Sequence, residues 1–201
     1  MYIKVASWDV GVGIILLTGV PGTGKSTIGS LLAKRFRCEI IEVGRFARER
    51  RLTLGWDEER ESEILDIERV KRELRRELNN QGEKICVVVS LYPDLVPLDF
   101  VDKVVVLRCD PAILADRLKN RGYSKKKLIE NIEAEIIDFC GVEARKVFPE
   151  DTIFEIDVST LSPQMVVEKI LAIVSEERFP KQAINWRNGP IVLQQIRRED
   201  P

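Results

Sequence analysis

The segment GVPGTGKST, residues 19–27, carries the strongest structural signal in this chain. It follows the apolar run IILLT, residues 14–18, and leads directly into the segment IGSLLAKRF, residues 28–36. A strand-length apolar run, a glycine-rich loop and a helix-like segment in this order are typical of a strand–loop–helix unit that holds phosphate. We therefore predict a strand at residues 14–18 and a helix at residues 25–36.

Each residue type in the loop has a chemical reason to bind a polyphosphate. Gly19, Gly24, Lys25 and Ser26 match the pattern GxxxxGK[ST]. Glycines let the backbone wrap around phosphate oxygens, and the unpaired N–H groups and dipole of the following helix favour an anion. Lys25 brings a positive charge to the β- and γ-phosphates, and the Ser26 hydroxyl is a suitable Mg²⁺ ligand. We therefore expect a nucleotide-binding loop.

Further along the chain, apolar runs rich in β-branched residues alternate with longer segments of helical period. This alternation is typical of a parallel sheet with helices on both faces, so we predict an α/β fold. The predicted strands are residues 14–18, 38–43, 84–91, 103–108 and 152–157. The predicted helices are residues 25–36, 64–79 and 111–121. A fourth helix is predicted to begin at a Ser124 cap, with Leu128, Ile132, Ile136, Phe139 and Cys140 on one face. A fifth is predicted to begin at Ser162.

Composition excludes several classes of chemistry. The 201 residues suit one domain, and a formal net charge of −1 favours neither nucleic acid nor membrane binding. Histidine is absent, which excludes Ser-His catalysis and His-ligated metals. Four scattered cysteines, without a CxxC pair, are expected to be buried free thiols. No signal peptide or membrane span is apparent, so we expect a soluble cytoplasmic protein.

Arginines crowd the segment that follows the second predicted strand. Arg45, Arg48, Arg50 and Arg51 all lie there. A guanidinium offers two parallel donors to an oxyanion, so one of these residues is a candidate to hold a second, phosphate-bearing substrate. The alternative is a solvated helix face with no ligand.

Two further arginines, Arg117 and Arg121, lie four residues apart and so on one side of a helix. Together they can cover the charge that spreads over a transferring phosphoryl group. The alternative is that Asp116 pairs with one of them on the surface.

Six segments are distinctive when taken together: LTGVPGTGKST, VGRFARE, GWDEE, ILDIERV, VLRCDP and RLKNRGYSKKKLIENIEAEI. They resemble the adenylate kinase isoenzyme 6 family, which comprises small archaeal and eukaryotic nucleoside monophosphate kinases, and the similarity covers residues 14–178. The resemblance implies a P-loop fold of three αβα layers with a five-stranded parallel sheet. It places the kinase domain at residues 1–180, with a monophosphate-binding segment at 43–66 and a short lid at 117–127. Residues 181–201 form a tail.

The resemblance also implies an activity and its residues. ATP is expected to bind Gly19, Pro21, Gly22, Thr23, Gly24, Lys25, Ser26 and Thr27, with Mg²⁺ on Ser26. AMP is expected near Gly44 and Arg48, and Lys25, Arg117 and Arg121 are the expected catalytic residues. The family is similar in combining adenylate kinase with ATPase activity and in binding a small-subunit ribosomal protein during rRNA maturation.

The chain departs from the family pattern at two places. Where relatives carry an acidic residue and then histidine after the third strand, this chain has Ser90 and Tyr92. Asp94 is a candidate substitute for that carboxylate. Arg45 stands where relatives often carry an acidic residue, which leaves the preference for AMP less constrained than ATP binding.

Two other functions remain open, of which the first draws its partner from the resemblance. Ser90 and Tyr92, together with the tail containing Trp186, favour an ATP-binding switch that assembles with a ribosomal protein. A kinase for a small metabolite shares the phosphate loop but leaves the similarity around residues 117–136 unexplained. Residues 1–12 fit neither strand nor helix pattern and form a small added strand or a disordered end.

Overall fold

The computed structural model describes residues 13–81, 85–175 and 183–198. The expectation for residues 1–12 lies outside the described residues, as do the two ends of the predicted tail. Within these ranges, no helix is both long enough and apolar enough to cross a bilayer.

A parallel sheet of five described strands forms the centre of the fold, in the spatial order β2-β5-β1-β6-β7. A separate antiparallel hairpin joins β3 to β4. The strands are β1 (Ile14–Thr18), β2 (Glu39–Glu42), β3 (Thr53–Asp57), β4 (Ser62–Leu65), β5 (Ile85–Val89), β6 (Val101–Arg108) and β7 (Ile153–Asp157). All five residues of β1 are buried, as expected for a central strand covered on both faces. The predicted α/β fold with five parallel strands is confirmed.

Helices flank this sheet. They are α1 (Lys25–Phe36), α2 (Val43–Glu49), α3 (Ile67–Gln81), α4 (Pro111–Lys119), α5 (Lys125–Ile136), α6 (Phe139–Val147), α7 (Pro163–Val174) and α8 (Gly189–Arg198). Three begin at side-chain caps, because the carboxylate of Asp110 and the hydroxyls of Ser124 and Ser162 accept backbone N–H groups of the first turn. The predicted starts of α4, α5 and α7 are confirmed.

The predicted helix at residues 64–79 begins too early. Residues 62–65 form β4, and α3 starts at Ile67 because the Asp66 carboxylate accepts the Arg69 N–H at 3.1 Å. Asp is a favoured N-cap residue, and this hydrogen bond sets the N-terminus of α3 at Ile67. The hairpin has no Asn-Gly or Asp-Gly turn that would mark it in the sequence.

The predicted apolar face from Leu128 to Cys140 belongs to two helices rather than one. Asp138 adopts a left-handed backbone conformation with φ 54°, which ends α5 and starts α6. A Cβ at Gly141 would lie 2.4 Å from the Asp138 carboxylate, so a larger residue there would displace the Asp138 side chain. Helical periodicity continues across the break, which is why the pattern conceals it.

The segment 183–198 packs on the domain instead of extending from it. Its helix α8 contacts α5 and α4. Trp186 Nε1 donates to Glu135 Oε1 at 2.8 Å, and Asn188 Nδ2 donates to Asp110 Oδ2 at 2.9 Å. Trp186 therefore docks on α5 of the same chain.

Glu135 also belongs to a buried ionic cluster with Arg108. Arg108 Nε donates to Glu135 Oε1 at 2.8 Å, and both side chains are 2% exposed. Glu155 lies 3.3 Å from Arg108 and accepts the Ile184 N–H at 3.0 Å. Burial raises the pKa of Glu135, while Arg108 opposes that shift. The cluster fixes the tail to the end of the sheet.

The cysteines differ from expectation at one position. Cys109 and Cys140 are free and buried, and burial raises the pKa of each thiol to about 11. Cys38, just before β2, is disulfide-bonded, so the prediction of a free thiol is wrong there. The sequence contains no CxxC spacing that would mark this pairing.

Candidate active site

The phosphate loop lies between β1 and α1, as its sequence predicts. Gly19, Gly22 and Gly24 have φ values of 142°, 93° and 92°, a backbone region that favours glycine. A Cβ at Gly19 would lie 2.5 Å from the carbonyl oxygen of Leu107, so no larger residue fits between the loop and β6. Thr23 Oγ1 donates to the Val20 carbonyl at 2.9 Å and helps to close the turn.

Lys25 lies across this loop. Its ammonium donates to the Val20 carbonyl at 3.0 Å. Although part of Lys25 stays exposed, burial of its charged end lowers the pKa to about 8, and the nearby Arg121 guanidinium acts in the same direction. The structure therefore brings Lys25 and Arg121 close enough for their charges to interact.

Arg117 makes different contacts from Arg121. Its Nη2 donates to the carbonyls of Val158 and Ser159 at 2.9 and 3.0 Å, and its Nη1 reaches the Gly22 carbonyl at 3.5 Å. These acceptors, rather than Asp116, hold its guanidinium. Arg117 thus ties the phosphate loop to the segment after β7, whereas Arg121 is exposed.

The arginines after β2 are mostly paired with carboxylates. Arg45 lies 3.7 Å from Glu49, Arg50 forms an ion pair with Glu77, and Arg48 Nη1 donates to Glu63 at 3.4 Å. Arg45 and Arg50 therefore form ion pairs at the surface of the protein. Arg48 differs because its partner belongs to the β3–β4 hairpin and not to its own helix or to α3.

Gly44 lies in the first turn of α2, where a Cβ would meet no atom within 4 Å. Nothing in the protein's own packing therefore requires glycine at this position. This openness is compatible with the expected approach of a ligand.

The end of the third predicted strand, β5, carries no carboxylate in the described structure. Ser90 Oγ donates to the Tyr92 carbonyl at 2.7 Å and accepts the Tyr92 N–H at 3.1 Å. Ser90 and Tyr92 thus build a tight turn. Asp94 lies 3.4 Å from Lys71 of α3, and its predicted role at the metal stays a prediction.

A carboxylate does reach the loop from elsewhere. Glu42, the last residue of β2, accepts a hydrogen bond from Ser26 Oγ at 2.9 Å. Sequence reasoning missed this residue. Its signal was present, because the carboxyl ends of parallel strands meet at one edge of the sheet and Glu42 ends a strand there.

The hairpin and the lid touch each other. Ser124 Oγ donates to Glu61 Oε2 at 3.1 Å, Lys127 Nζ donates to the Glu61 carbonyl at 2.6 Å, and Lys126 Nζ lies 2.8 Å from Glu59 Oε1. Sequence reasoning also missed these contacts, since nothing in a charged turn indicates which helix it meets.

Together these contacts form a closed circuit. It consists of Ser26–Glu42 at the start of α2, Arg48–Glu63 to the hairpin, Glu61–Ser124 to the lid, and Arg117–Gly22 back to the loop. The phosphate loop, α2, the hairpin and the lid are therefore linked to one another by side-chain contacts.

Comparison with known proteins agrees with this architecture. Residues 15–138 match the family described as AAA domain. A protein of Methanocaldococcus jannaschii named "Putative adenylate kinase" is 30% identical over 172 residues, which cover 86% of this chain and 92% of that protein. A protein of the same name from Sulfurisphaera tokodaii is 38% identical over 159 residues, covering 79% and 81%.

Solved structures of kinases share the fold. Shikimate kinase from Acinetobacter baumannii has a TM-score of 0.57 at 18% identity and covers 84% of this chain and 96% of its own. Thymidylate kinase from Candida albicans has a TM-score of 0.51 at 13% identity, covering 82% and 91%. The chain has the phosphate loop, matches the family over residues 15–138, and shares 30–38% identity with relatives over most of their length. It therefore belongs to the AAA domain family of P-loop proteins, together with the archaeal proteins named "Putative adenylate kinase".

Proposed function

We propose that the chain is a nucleoside monophosphate kinase, and specifically an adenylate kinase that converts ATP and AMP into two ADP. An oxygen of the AMP phosphate attacks the γ-phosphorus of ATP, and the bond from that phosphorus to the bridging oxygen of ADP breaks. The observation that carries the proposal is the closed circuit, because a second substrate needs a bordered space beside the phosphate loop. The names of the archaeal relatives support the same activity.

ATP binds the loop through Gly19, Pro21, Gly22, Thr23, Gly24, Lys25, Ser26 and Thr27. Main-chain N–H groups hold the phosphates, and Lys25 and Arg121 provide positive charge beside the γ-phosphoryl group. Arg117 holds the loop against the segment after β7 through its carbonyl contacts. Catalysis then depends on positioning and electrostatics, because the acceptor is already an anion.

AMP lies on the other side of the circuit, near Gly44 and Arg48. The open space above Gly44 admits a ligand, and Arg48 can exchange its 3.4 Å contact with Glu63 for a phosphate. Contact between the hairpin and the lid restricts water at the reacting groups. Slow ATP hydrolysis is the expected side reaction when AMP is absent.

The oxygen donors at the loop fit Mg²⁺, which prefers hard oxygen ligands. The Ser26 hydroxyl lies in the first turn of α1 beside Lys25 and is a suitable ligand. When bound with ATP, Mg²⁺ supplies charge neutralisation between the β- and γ-phosphates.

The test is a panel of nucleoside monophosphates, each assayed for ADP formation with ATP, with and without Mg²⁺. We expect the fastest ADP formation with AMP, and slower ATP hydrolysis without any acceptor. Lys25→Ala should lower the rate at least about a hundredfold. Lys34→Ala, at the exposed end of the same helix, is the matched control and should leave the rate of ADP formation unchanged. Absence of ADP formation with every monophosphate would contradict the proposal.

We further propose that the chain belongs to the isoenzyme 6 branch and assists assembly of the small ribosomal subunit by binding one of its proteins. If ADP formation is weak, this second function makes the chain an ATP-dependent switch. The observation that favours a switch is the use of Ser90 and Tyr92 in a turn where relatives carry an acidic residue and histidine. Nucleotide-dependent binding to a small-subunit ribosomal protein tests it, and equal absence of binding with ATP, ADP and no nucleotide would exclude it.

A further inference from the structure

Three neighbouring parallel strands end in the same row of the sheet. Glu42 at the end of β2 is in register with Val89 of β5, and Val89 is in register with Leu17 of β1. The ends of β2 and β5 therefore lie side by side next to the phosphate loop that follows β1.

The two strand ends are not chemically equivalent. Ser90 follows Val89, is 4% exposed, and has its hydroxyl engaged in both directions with the Tyr92 backbone. Glu42 presents a carboxylate. Although Glu42 occupies the N-cap position of α2, its side chain makes no capping hydrogen bond there. It accepts instead from Ser26 Oγ, at 2.9 Å.

Within residues 13–81, 85–175 and 183–198, no other carboxylate is hydrogen-bonded to Ser26 or Lys25. Glu42 is thus the carboxylate that hydrogen-bonds to the loop in the described fold.

We propose that Glu42 is the carboxylate of the Mg²⁺ site, supplied by β2 in place of the acidic residue that β5 lacks. The inference rests on the proposed use of ATP. Mg²⁺ in proteins is typically held by one or two carboxylates together with substrate phosphates and water, and the Ser26–Glu42 pair supplies such donors. Glu42 binds the metal directly or through a metal-bound water.

The test measures ATP affinity by calorimetry with Mg²⁺ and with a metal chelator, and Mn²⁺ binding to the protein–ATP complex by paramagnetic resonance. Glu42→Gln keeps the size of the side chain and removes its charge. We expect it to weaken Mn²⁺ binding by about tenfold to a hundredfold. ATP affinity in the chelator should stay equal or increase, because a negative charge beside the phosphates is gone. Glu42→Asp should restore part of the metal binding.

Glu39→Gln is the matched control, because Glu39 is exposed at the opposite end of the same strand. It should leave both affinities unchanged. If Glu42→Gln and the native protein gain equally in ATP affinity from Mg²⁺, Glu42 only orients Ser26 and the inference is wrong while the kinase proposal stands. If the native protein binds no ATP with or without metal, both proposals are wrong.

Discussion

Lys126 Nζ lies 2.8 Å from Glu59 Oε1, and this ion pair joins the first turn of α5 to the turn of the β3–β4 hairpin. The hydrogen bond from Lys126 lowers the pKa of Glu59. Both side chains are largely exposed, so water and salt weaken their attraction.

Lys126→Glu places two negative charges at this contact and should separate the hairpin from the lid. We expect the KM for AMP to rise by at most about fivefold, as suits an exposed pair, while the KM for ATP stays unchanged. Steady-state kinetics with each substrate varied separately measures both. Combining it with Glu59→Lys should recover the native KM for AMP. A recovery that fails would show that the two residues do not act on each other.

The pKa of Lys25, about 8, makes nucleotide affinity dependent on pH. The Lys25 side chain carries its positive charge well below that pH and loses its proton as the pH rises through it. Phosphate binds the charged form. The dissociation constant for ATP should therefore increase above about pH 8, by no more than about tenfold per pH unit. Titration of the protein with ATP at several pH values measures this slope.

Lys25→Arg is the control for that dependence, because a guanidinium stays charged throughout the range. Its affinity for ATP should be weaker but flat with pH. Equal slopes in the two proteins would assign the pH dependence to another group.

Trp186→Phe removes the indole N–H that donates to buried Glu135. Loss of this donor should lower the free energy of unfolding by about 1–3 kcal/mol, because a buried acceptor loses a partner. Urea unfolding measures the change. The matched control is Trp56→Phe in the hairpin, since Trp56 is 55% exposed, and its effect should stay within about 0.5 kcal/mol. Equal effects of the two changes would contradict the docking of the tail.

Two glycine substitutions should change the free energy of unfolding in opposite directions. Gly44→Ala puts a methyl group into open space within α2, so we expect the free energy of unfolding to rise by up to about 1 kcal/mol. If AMP approaches Gly44, the KM for AMP should rise at the same time, and an unchanged value would exclude Gly44 from the acceptor site. Gly19→Ala, whose Cβ would lie 2.5 Å from the Leu107 carbonyl, should lower stability and ATP affinity together.

The parts of the fold that the sequence predicts well are those with strong local signals. The strand at residues 14–18 and the helix at 25–36 have the predicted bounds, because the glycine loop fixes where one ends and the other begins. Ser124 caps its helix as predicted, and the helices predicted from residue 111 and from Ser162 begin there. Local chemistry is sufficient in these cases.

The misses depend on contacts that are distant in the sequence. The hairpin contains Leu54 and Trp56, which stay exposed, so no buried alternation marks its strands. Glu61 meets Ser124 only because the lid lies opposite the hairpin. Glu42 follows an ordinary apolar run, and its pairing with Ser26 depends on the register of three strands.

The helix α5 is held very differently at its two ends. Near its C-terminal end, Glu135 is enclosed with Arg108 and Trp186, whereas Lys126 and Lys127 at its N-terminal end meet the hairpin in exposed contacts. Exposed contacts open with a smaller free-energy cost than buried ones. Opening of the lid is therefore expected to be a rotation of α5 about Glu135. Amide exchange should be fastest in the first turn of α5 and slowest in its last turn. Nucleotides can then bind and dissociate while the segment 183–198 remains packed on the domain.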